Sequence, residues 1–390
     1  MHEPVAERPG DPSSRRWWFA VCALFAVRIA FILIGFATLP APDAGTGLGN
    51  DATRFFQIAR SEGRPYQDFE VEFPPLSLAA IRALDATTSA ALAHRLAWAM
   101  LGCDIAVFAM LARVWDRQVA LRYLAIGTPL AFFIYLRLDL LSVALAVGAV
   151  ALARRRHGIA SGATLAAAAF AKVWPLALLP LLAIERARRA VVSCLAVGAV
   201  SAIAWVAWGG SDAPMQTLTM RHATGWEIES TVGFVLWQLG RASPRFEAGA
   251  DRVGGIGPWH TVLVIVAVAA ICWVWLRARE DPRLGEGPAS VATVAILLVT
   301  SPVFSHQYLA WLLPWVAISG DERLRNWSLI ACLAAVTTVL HSGQPVAGSY
   351  WLQVGALAVR DIATLVILAI ALRTLSLEGA PLRLERAPQR

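Results

Sequence analysis

The stretch from Asn50 to Ser77, NDATRFFQIARSEGRPYQDFEVEFPPLS, sets Asp51, Asp68, Glu70 and Glu72 into a chain that is otherwise strongly apolar. Carboxylates cap helices, hold turns, or take protons and hydrogen bonds at a reaction site, and residue type alone leaves these readings open. Further on, "YLRLDLLS" places Arg137 close before Asp139, and "FAKVWPLALLPLL" carries Lys172. "SPVFSHQYLAWLLPW" brings Ser305, His306, Gln307 and Tyr308 together. Lys172 is the only lysine among the 34 Lys and Arg residues. Where arginine is the default, an ammonium points to a need for a compact point charge; a snorkelling anchor is the plainer reading. Each group borders an apolar run. Ionisable groups converging on one side of a membrane suggest a shared polar site.

Positioning such groups requires helices that cross a membrane. The chain has 390 residues, 57% hydrophobic and 16% charged, with a mean hydropathy of +0.58. A soluble domain carries about 25% charge. Residues 17–38, 92–112, 189–208, 258–277 and 350–374 are apolar runs near the roughly 20 residues that a bilayer core requires. Shorter runs at 119–136, 138–153, 158–171, 173–184, 288–304, 306–319 and 326–341 would tilt or pack against neighbours. The pattern predicts an all-α polytopic membrane protein with about 12 transmembrane helices. Arg15 and Arg16 precede the first run as they would in a signal peptide. That run outlasts the roughly 7–15 residues of a signal h-region, and many spans follow.

The five cysteines, Cys22, Cys103, Cys194, Cys272 and Cys332, all fall inside apolar runs without paired spacing. They read as small core residues. No CxxC, HExxH, Walker A or GxGxxG stands in a fitting context, so no metal or cofactor is expected. The net charge of +7 has a topological origin and does not point to nucleic acid. Arg113, Arg117, Arg122, Arg154 to Arg156, Arg277 and Arg279 gather in alternate loops, and the positive-inside rule then puts both termini in the cytosol. The chain divides as one integral-membrane domain over 1–390, with cytoplasmic tails at 1–16 and 375–390. Long external loops lie at 39–91 and 209–257, and the turns near Arg137, Lys172, Ser305 and His341 face the same side.

Ala52, Phe55, Phe56 and Ala59 recur at helical spacing and predict a short interfacial helix over 51–62. Gly63 stops it, Pro65 to Asp68 form a turn, and Glu70 and Glu72 alternate with Phe69, Val71 and Phe73 in an extended segment. Pro75 opens the next helix. In the plainer reading Asp51 is a helix cap, Asp68 a turn residue, Glu70 and Glu72 a solvated edge, and His306 an interfacial histidine. Arg28, Arg95, Asp104, Arg360 and Asp361 lie within predicted spans, and Arg28 and Arg95 are expected to pair with Asp104 or Asp361 to hold helices together. Arg221, His222, Glu227 and Glu229 flank Trp226 in the second loop, where they either line an acceptor site or face solvent.

In order, Asp51, "RPYQDFEVEFPPL", "RLDLLSVAL", "AKVWPLALLPLL" and "SPVFSHQYLAWLLP" resemble the motifs of the GT-C membrane glycosyltransferases. The set is most similar to glycosyltransferase family 87, the polyprenol-phosphate-mannose-dependent mannosyltransferases of actinobacteria, and covers about residues 17–375. The resemblance implies a GT-C-like fold with its site on the extracytoplasmic face of the cell membrane. It implies transfer of a hexose, mannose first, from a polyprenyl-phosphate donor to a lipid or glycan hydroxyl, by inverting displacement and without a cofactor. Asp51 matches the family's catalytic carboxylate, placed in the first external loop just after the first span. On that scheme Lys172, Arg137, His306 and Gln307 bind the donor phosphate, while Tyr66, Asp68, Glu72, Asp139 and Tyr308 contact sugar or acceptor. The alternative, a transporter or flippase of a polyprenyl-linked sugar or lipid, would want polar residues deep in the bundle and discontinuous helices. A membrane scaffold would have no need of Asp51.

Overall fold

A computed structural model describes residues 12–38, 48–184, 188–240, 243–281, 284–341 and 349–378. Most of the two predicted tails, and residues 39–47 of the first external loop, lie outside the described residues. The chain is nearly all-α. α1 (Pro12–Thr38) leads to the short α2 (Leu48–Arg60) and α3 (Pro75–Ala83), then to α4 (Ser89–Val114) and α5 (Arg117–Gly127). α6 (Asp139–Arg154), α7 (Gly158–Ala171), α8 (Leu179–Ile184), α9 (Arg188–Gly209) and α10 (Ala213–Leu218) follow. α11 (Thr231–Gln238), α12 (Pro258–Glu280), α13 (Ser290–Thr300), α14 (Leu313–Ser319), α15 (Glu322–His341) and α16 (Ser349–Glu378) complete the order.

Among the described residues, six helices are long and apolar enough to cross a membrane, within α1, α4, α9, α12, α15 and α16. The other expected spans are shorter. α6 has 16 residues and α7 has 14, so they rise about 24 and 21 Å against a hydrocarbon core of about 30 Å. Prolines mark where helical runs break: Pro129 and Pro175 begin 3-10 turns at 129–132 and 174–178. Residues 306–311 form a further 3-10 turn. These breaks are buried in protein, which is where a bilayer tolerates irregular backbone.

The enclosed centre contains α6, α13 and α14, with Val143, Val147, Val294, Leu298 and Trp315 fully buried. α9 and α12 lie at the periphery and turn Val192, Leu195, Val200, Ile203, Ile265 and Val268 outward, as lipid-facing helices do. Cys22 and Cys272 are on this outer surface, whereas Cys194 and Cys332 are buried. The core assignment of the cysteines is therefore corrected for two of them, because an apolar run does not reveal which face points inward. α7 meets α9 at Gly162, where an added Cβ would lie 2.0 Å from the Ala190 carbonyl oxygen.

Arg28 and Asp104 pair as expected. Arg28 Nε lies 3.0 Å from Asp104, while Nη1 and Nη2 donate to Thr128 Oγ1 and the Leu124 carbonyl, each at 2.7 Å. Tyr123 and Tyr135 hydroxyls complete the carboxylate's shell, tying α1, α4 and α5 together. Arg95 departs from expectation: it donates to the Asp85 carbonyl, since it sits near the start of α4, away from the buried carboxylate.

A second departure is a small antiparallel sheet in the second long loop. β1 (Trp226–Glu227), β2 (Arg245–Glu247) and β3 (Ala250–Val253) run in the order β1-β3-β2.

Candidate active site

α2 is held by Ala52, Phe55 and Ile58, which are buried on one face, and Phe55 packs edge-on against Phe73 at 5.3 Å. This packing fixes Asp51 in the first turn of the helix, where the helix dipole favours a carboxylate. Asp51 forms an ion pair with Arg137. Arg137 follows the 3-10 turns in extended backbone, φ −127 and ψ 148, which aims its side chain away from α6 and toward α2. Asp139, in the first turn of α6, is buried. Its Oδ1 accepts from Lys172 Nζ at 2.8 Å and from Trp311 Nε1 at 2.7 Å.

Lys172 ends α7. Its ammonium stands 4.1 Å from the ring centroid of Tyr308 and 5.2 Å from that of Trp311. Trp311 is stacked between Tyr308 at 4.3 Å and Trp174 at 5.2 Å. An ammonium in a desolvated aromatic niche gains about 2 kcal/mol from the ring quadrupoles. The ion pair, and not a snorkelling anchor, sets its position.

His306 and Gln307 are buried in the same turn. Arg360, fully buried in α16, donates to His306 Nδ1 at 2.9 Å and to the Phe304 carbonyl at 3.1 Å. That leaves His306 Nε2 to carry the proton facing Glu229 Oε1 at 3.3 Å. Arg360 also bonds the Glu229 carbonyl and its neighbour Asp361. Glu227, 6% exposed, takes Ser305 Oγ on Oε1 at 3.3 Å. Its position is set by β1 pairing with β3 and by its N–H donating to the Pro302 carbonyl at 3.0 Å. Arg137 is in electrostatic reach of Asp139, Glu229, Tyr308 and Glu227, so the two groups form one site.

Burial, and then the adjacent Glu229, push the Glu227 carboxyl up to about 7. Burial would also raise Glu229, but His306, Arg360 and Arg137 outweigh it and bring it down to about 2. Two carboxyl groups, Glu227 at the end of β1 and Glu229 in the turn that follows, are thus driven apart by their neighbours.

The remaining expected residues build the walls. Tyr66 has a left-handed backbone (φ 69). Its hydroxyl donates to the Phe73 carbonyl at 2.6 Å, and its ring packs edge-on to Trp205 and Trp208. Asp68 is exposed and accepts from the Arg64 N–H at 2.6 Å, which makes it a turn residue. The turn requires Gly63, at φ +90 with no room for a Cβ against Asp68. Glu72 is buried and gripped by Arg54 through two bonds of 3.0 and 2.8 Å, with Arg221 at 3.6 Å. Gln216 of α10 bonds both Tyr66 O and Val71 N. The two long loops are therefore stitched into one cover above the site. Tyr66, Asp68 and Glu72 make these loop contacts, and are not gathered around Arg137.

Glu227 and Glu229 had been left open between an acceptor site and solvent, and Arg360 had been placed within a span; the structure brings all three to the cluster. Glu227 and Glu229 alternate with Trp226 and Ile228 as a strand does, which was the available signal. Arg360 was placed within a span, and its position in sequence does not say whether it holds helices or lines a site. Among the described residues no group of three His, Cys, Asp or Glu side chains is placed to hold a metal ion.

The profile of glycosyltransferase family 87 matches residues 73–305. The match includes Arg137, Asp139, Lys172, Glu227, Glu229 and Ser305, and leaves Asp51, His306 and Arg360 outside. No curated protein sequence matches the chain.

Proposed function

The chain belongs to glycosyltransferase family 87, and on that premise we propose that it transfers a hexose, mannose first, from a polyprenyl-phosphate donor to a hydroxyl of a lipid or glycan acceptor. The observation that carries the reading is the contact of Asp51 on α2 with Arg137 before α6, two charged side chains from separate elements meeting where both remain partly exposed. In the reaction the acceptor oxygen bonds to C1 of the sugar while the bond from C1 to the phosphate oxygen breaks. The electron pair leaves with the polyprenyl phosphate, and the hydroxyl proton passes to the Asp51 carboxylate. A positioned base of this kind contributes roughly 10²–10⁴-fold. Arg137 and Lys172, with His306, Gln307 and Tyr308 beside them, supply the positive charge and donors that hold the phosphate as its charge grows. The phosphate competes with Asp51 for Arg137, so donor binding itself frees the base.

On this reading α2 lies at the membrane interface, the shorter helices complete about 12 crossings, and the site faces outward from the plasma membrane with both termini cytosolic. The buried Arg360 and the broken helices are features a transporter would also use. Family membership decides for the enzyme.

The test compares wild type with Asp51→Asn in detergent, measuring transfer from radiolabelled polyprenyl-phosphate mannose to a membrane lipid extract, with donor binding in parallel. Transfer should fall by about 10²-fold or more in the variant while donor binding survives. Equal transfer by both proteins would remove Asp51 as the base. A wild type that binds no polyprenyl-phosphate hexose would defeat the donor assignment.

A further inference from the structure

Residues 213–222 tie the second long loop to the first. Gln216 of α10 donates to the Tyr66 carbonyl at 2.8 Å and accepts from the Val71 N–H at 3.2 Å. Arg221 reaches Glu72 at 3.6 Å, the carboxylate already gripped by Arg54 through bonds of 3.0 and 2.8 Å. Arg54 follows Asp51 at the i, i+3 spacing on α2, which puts the two on neighbouring turns of one helix face. The clasped segment then runs into α3, where Ser77 Oγ donates to the Ala171 carbonyl at 2.7 Å, next to Lys172. These contacts hold down the piece of chain that passes from the Asp51 helix to the Lys172 end of α7.

The backbone is strained where it makes the clasp. Met220, Arg221 and His222 have φ values of 49, 60 and 60, so consecutive side-chain-bearing residues lie in the left-handed region. One such residue, usually glycine, is an ordinary helix stop. In a run, each Cβ crowds the following carbonyl, and L-residues therefore enter this region singly. The turn is closed by the Arg221 N–H on the Gln216 carbonyl at 2.7 Å. The His222 N–H donates to Thr219 Oγ1 at 2.9 Å, and the Ala223 N–H to the Thr219 carbonyl at 2.9 Å. On the outer side Met215 and Leu218 are exposed, and His222 meets Asp212 at 3.1 Å where both are about half exposed, a pair of small worth. Gly210, at φ +86, supplies a hinge ahead of α10. Strain of this kind persists only where the surroundings enforce it, and it gathers at switch regions.

We propose that residues 213–222 form a strained strap that opens to admit the acceptor on the Asp51 side of the site. The proposal rests on the glycosyl-transfer reading. In the closed form the contacts of Gln216 and Arg221 outweigh the cost of the left-handed turn. On opening, the turn relaxes, Glu72 stays with Arg54, and residues 66–73 are released from α10. The strap reaches the α2 side of the site through Glu72 and Arg54, whereas Lys172 is engaged by Asp139. The path it opens therefore leads to the base and not to the donor phosphate.

The experiment follows amide hydrogen exchange by mass spectrometry on the full chain in detergent, as wild type, Arg221→Ala, Arg221→Lys, His222→Ala and His222→Gly. Exchange in residues 66–73 reads strap opening, and exchange in α4 and α6 controls for the fold. Arg221→Ala should speed exchange in 66–73 about fivefold, with Arg221→Lys recovering part of the protection. Both His222 variants lose the imidazole, but only glycine takes a positive φ without strain. His222→Gly should therefore exchange about threefold more slowly than His222→Ala in this segment. In transfer from polyprenyl-phosphate mannose to an alkyl mannoside, acceptor kcat/KM should be lower in His222→Gly than in His222→Ala by a similar factor, with the donor KM unchanged. Unaltered exchange in Arg221→Ala, or equal exchange in the two His222 variants, makes the segment a static cover and overturns the strap. The expected exchange with equal acceptor kcat/KM overturns its role in admitting the acceptor. Should Arg221→Ala fail to fold, Arg221→Lys and the His222 pair carry the same readouts. A wild type that exchanges as expected yet transfers nothing defeats the transfer reading and not the strap.

Discussion

Lys172 is satisfied on several sides at once, by the Asp139 carboxylate and by the faces of Tyr308 and Trp311. A buried ion pair of this kind adds little net stability over well-packed apolar residues, and on the proposed reading its charge serves the donor phosphate. Its partner Asp139 and the neighbouring Arg137 stood out in the sequence because they border apolar runs, where charge is scarce. Glu227 and Glu229 stayed open between an acceptor site and solvent, because they sit in a loop already rich in charge. The divergence of these two carboxyls has a measurable sign. Glu227 keeps its proton up to about 7 in the folded chain, against about 4.3 for an ordinary glutamate. Between these values the folded state binds more protons than the unfolded state, so this group lowers stability as pH rises through the window. Glu229, held at about 2, is ionised throughout that window; its contribution is lost only in acid, between the ordinary value and about 2. The groups acting on Glu227 are Glu229, Arg252, Ser305 and Arg360. Glu227→Gln should therefore melt higher than wild type at pH 8, with the difference shrinking at pH 5. Melting curves in detergent at the two pH values check this.

At the level of elements, α2, the Gly63 stop and the Pro75 start were legible from helical spacing and turn residues. The apolar runs at 119–136, 173–184 and 306–319 gave their positions but not their interruptions. Hydropathy is blind to whether an apolar stretch is α-helical, and Pro129, Pro175, Pro180 and Pro314 were the local marks of a break. α7 crosses α9 at close range. Gly162 allows the α9 backbone to touch α7, in the manner of small residues at membrane helix contacts. Gly162→Val should separate α9 from α7 and, through α7, displace Lys172. Expected outcomes are lower yield of folded protein on size exclusion and reduced thermal stability, whereas substitutions at outward-facing Val200 should leave both unchanged.

Across the whole molecule the chemistry is segregated to one end of the helices. Asp139 and Lys172 stand at one end of the α6–α7 pair, and Arg154, paired with Glu286, at the other. Combined with the arginine pattern of the sequence, this predicts a sidedness that impermeant thiol reagents can read. In a cysteine-free background, Asp68→Cys should be labelled on intact cells and Arg155→Cys only after permeabilisation; the reverse pattern would invert the orientation.

The shortness of α6 and α7 carries one more consequence. Their ends stop short of a full bilayer crossing, and Arg360 lies about 16 Å along α16 from its first residue. Asp139 and Lys172, at the end of this short pair, lie on the proposed reading below the level that the six long helices reach. On the proposed reading, a lipid-borne phosphate must descend from the head-group plane to reach Arg137 and Lys172. The distance it travels depends on acyl-chain length around the protein, at a cost of fractions of a kcal/mol per ångström. Reconstitution into phosphatidylcholines of increasing chain length should then slow transfer steadily once the membrane exceeds the span of the long helices, making membrane thickness a throttle on the reaction.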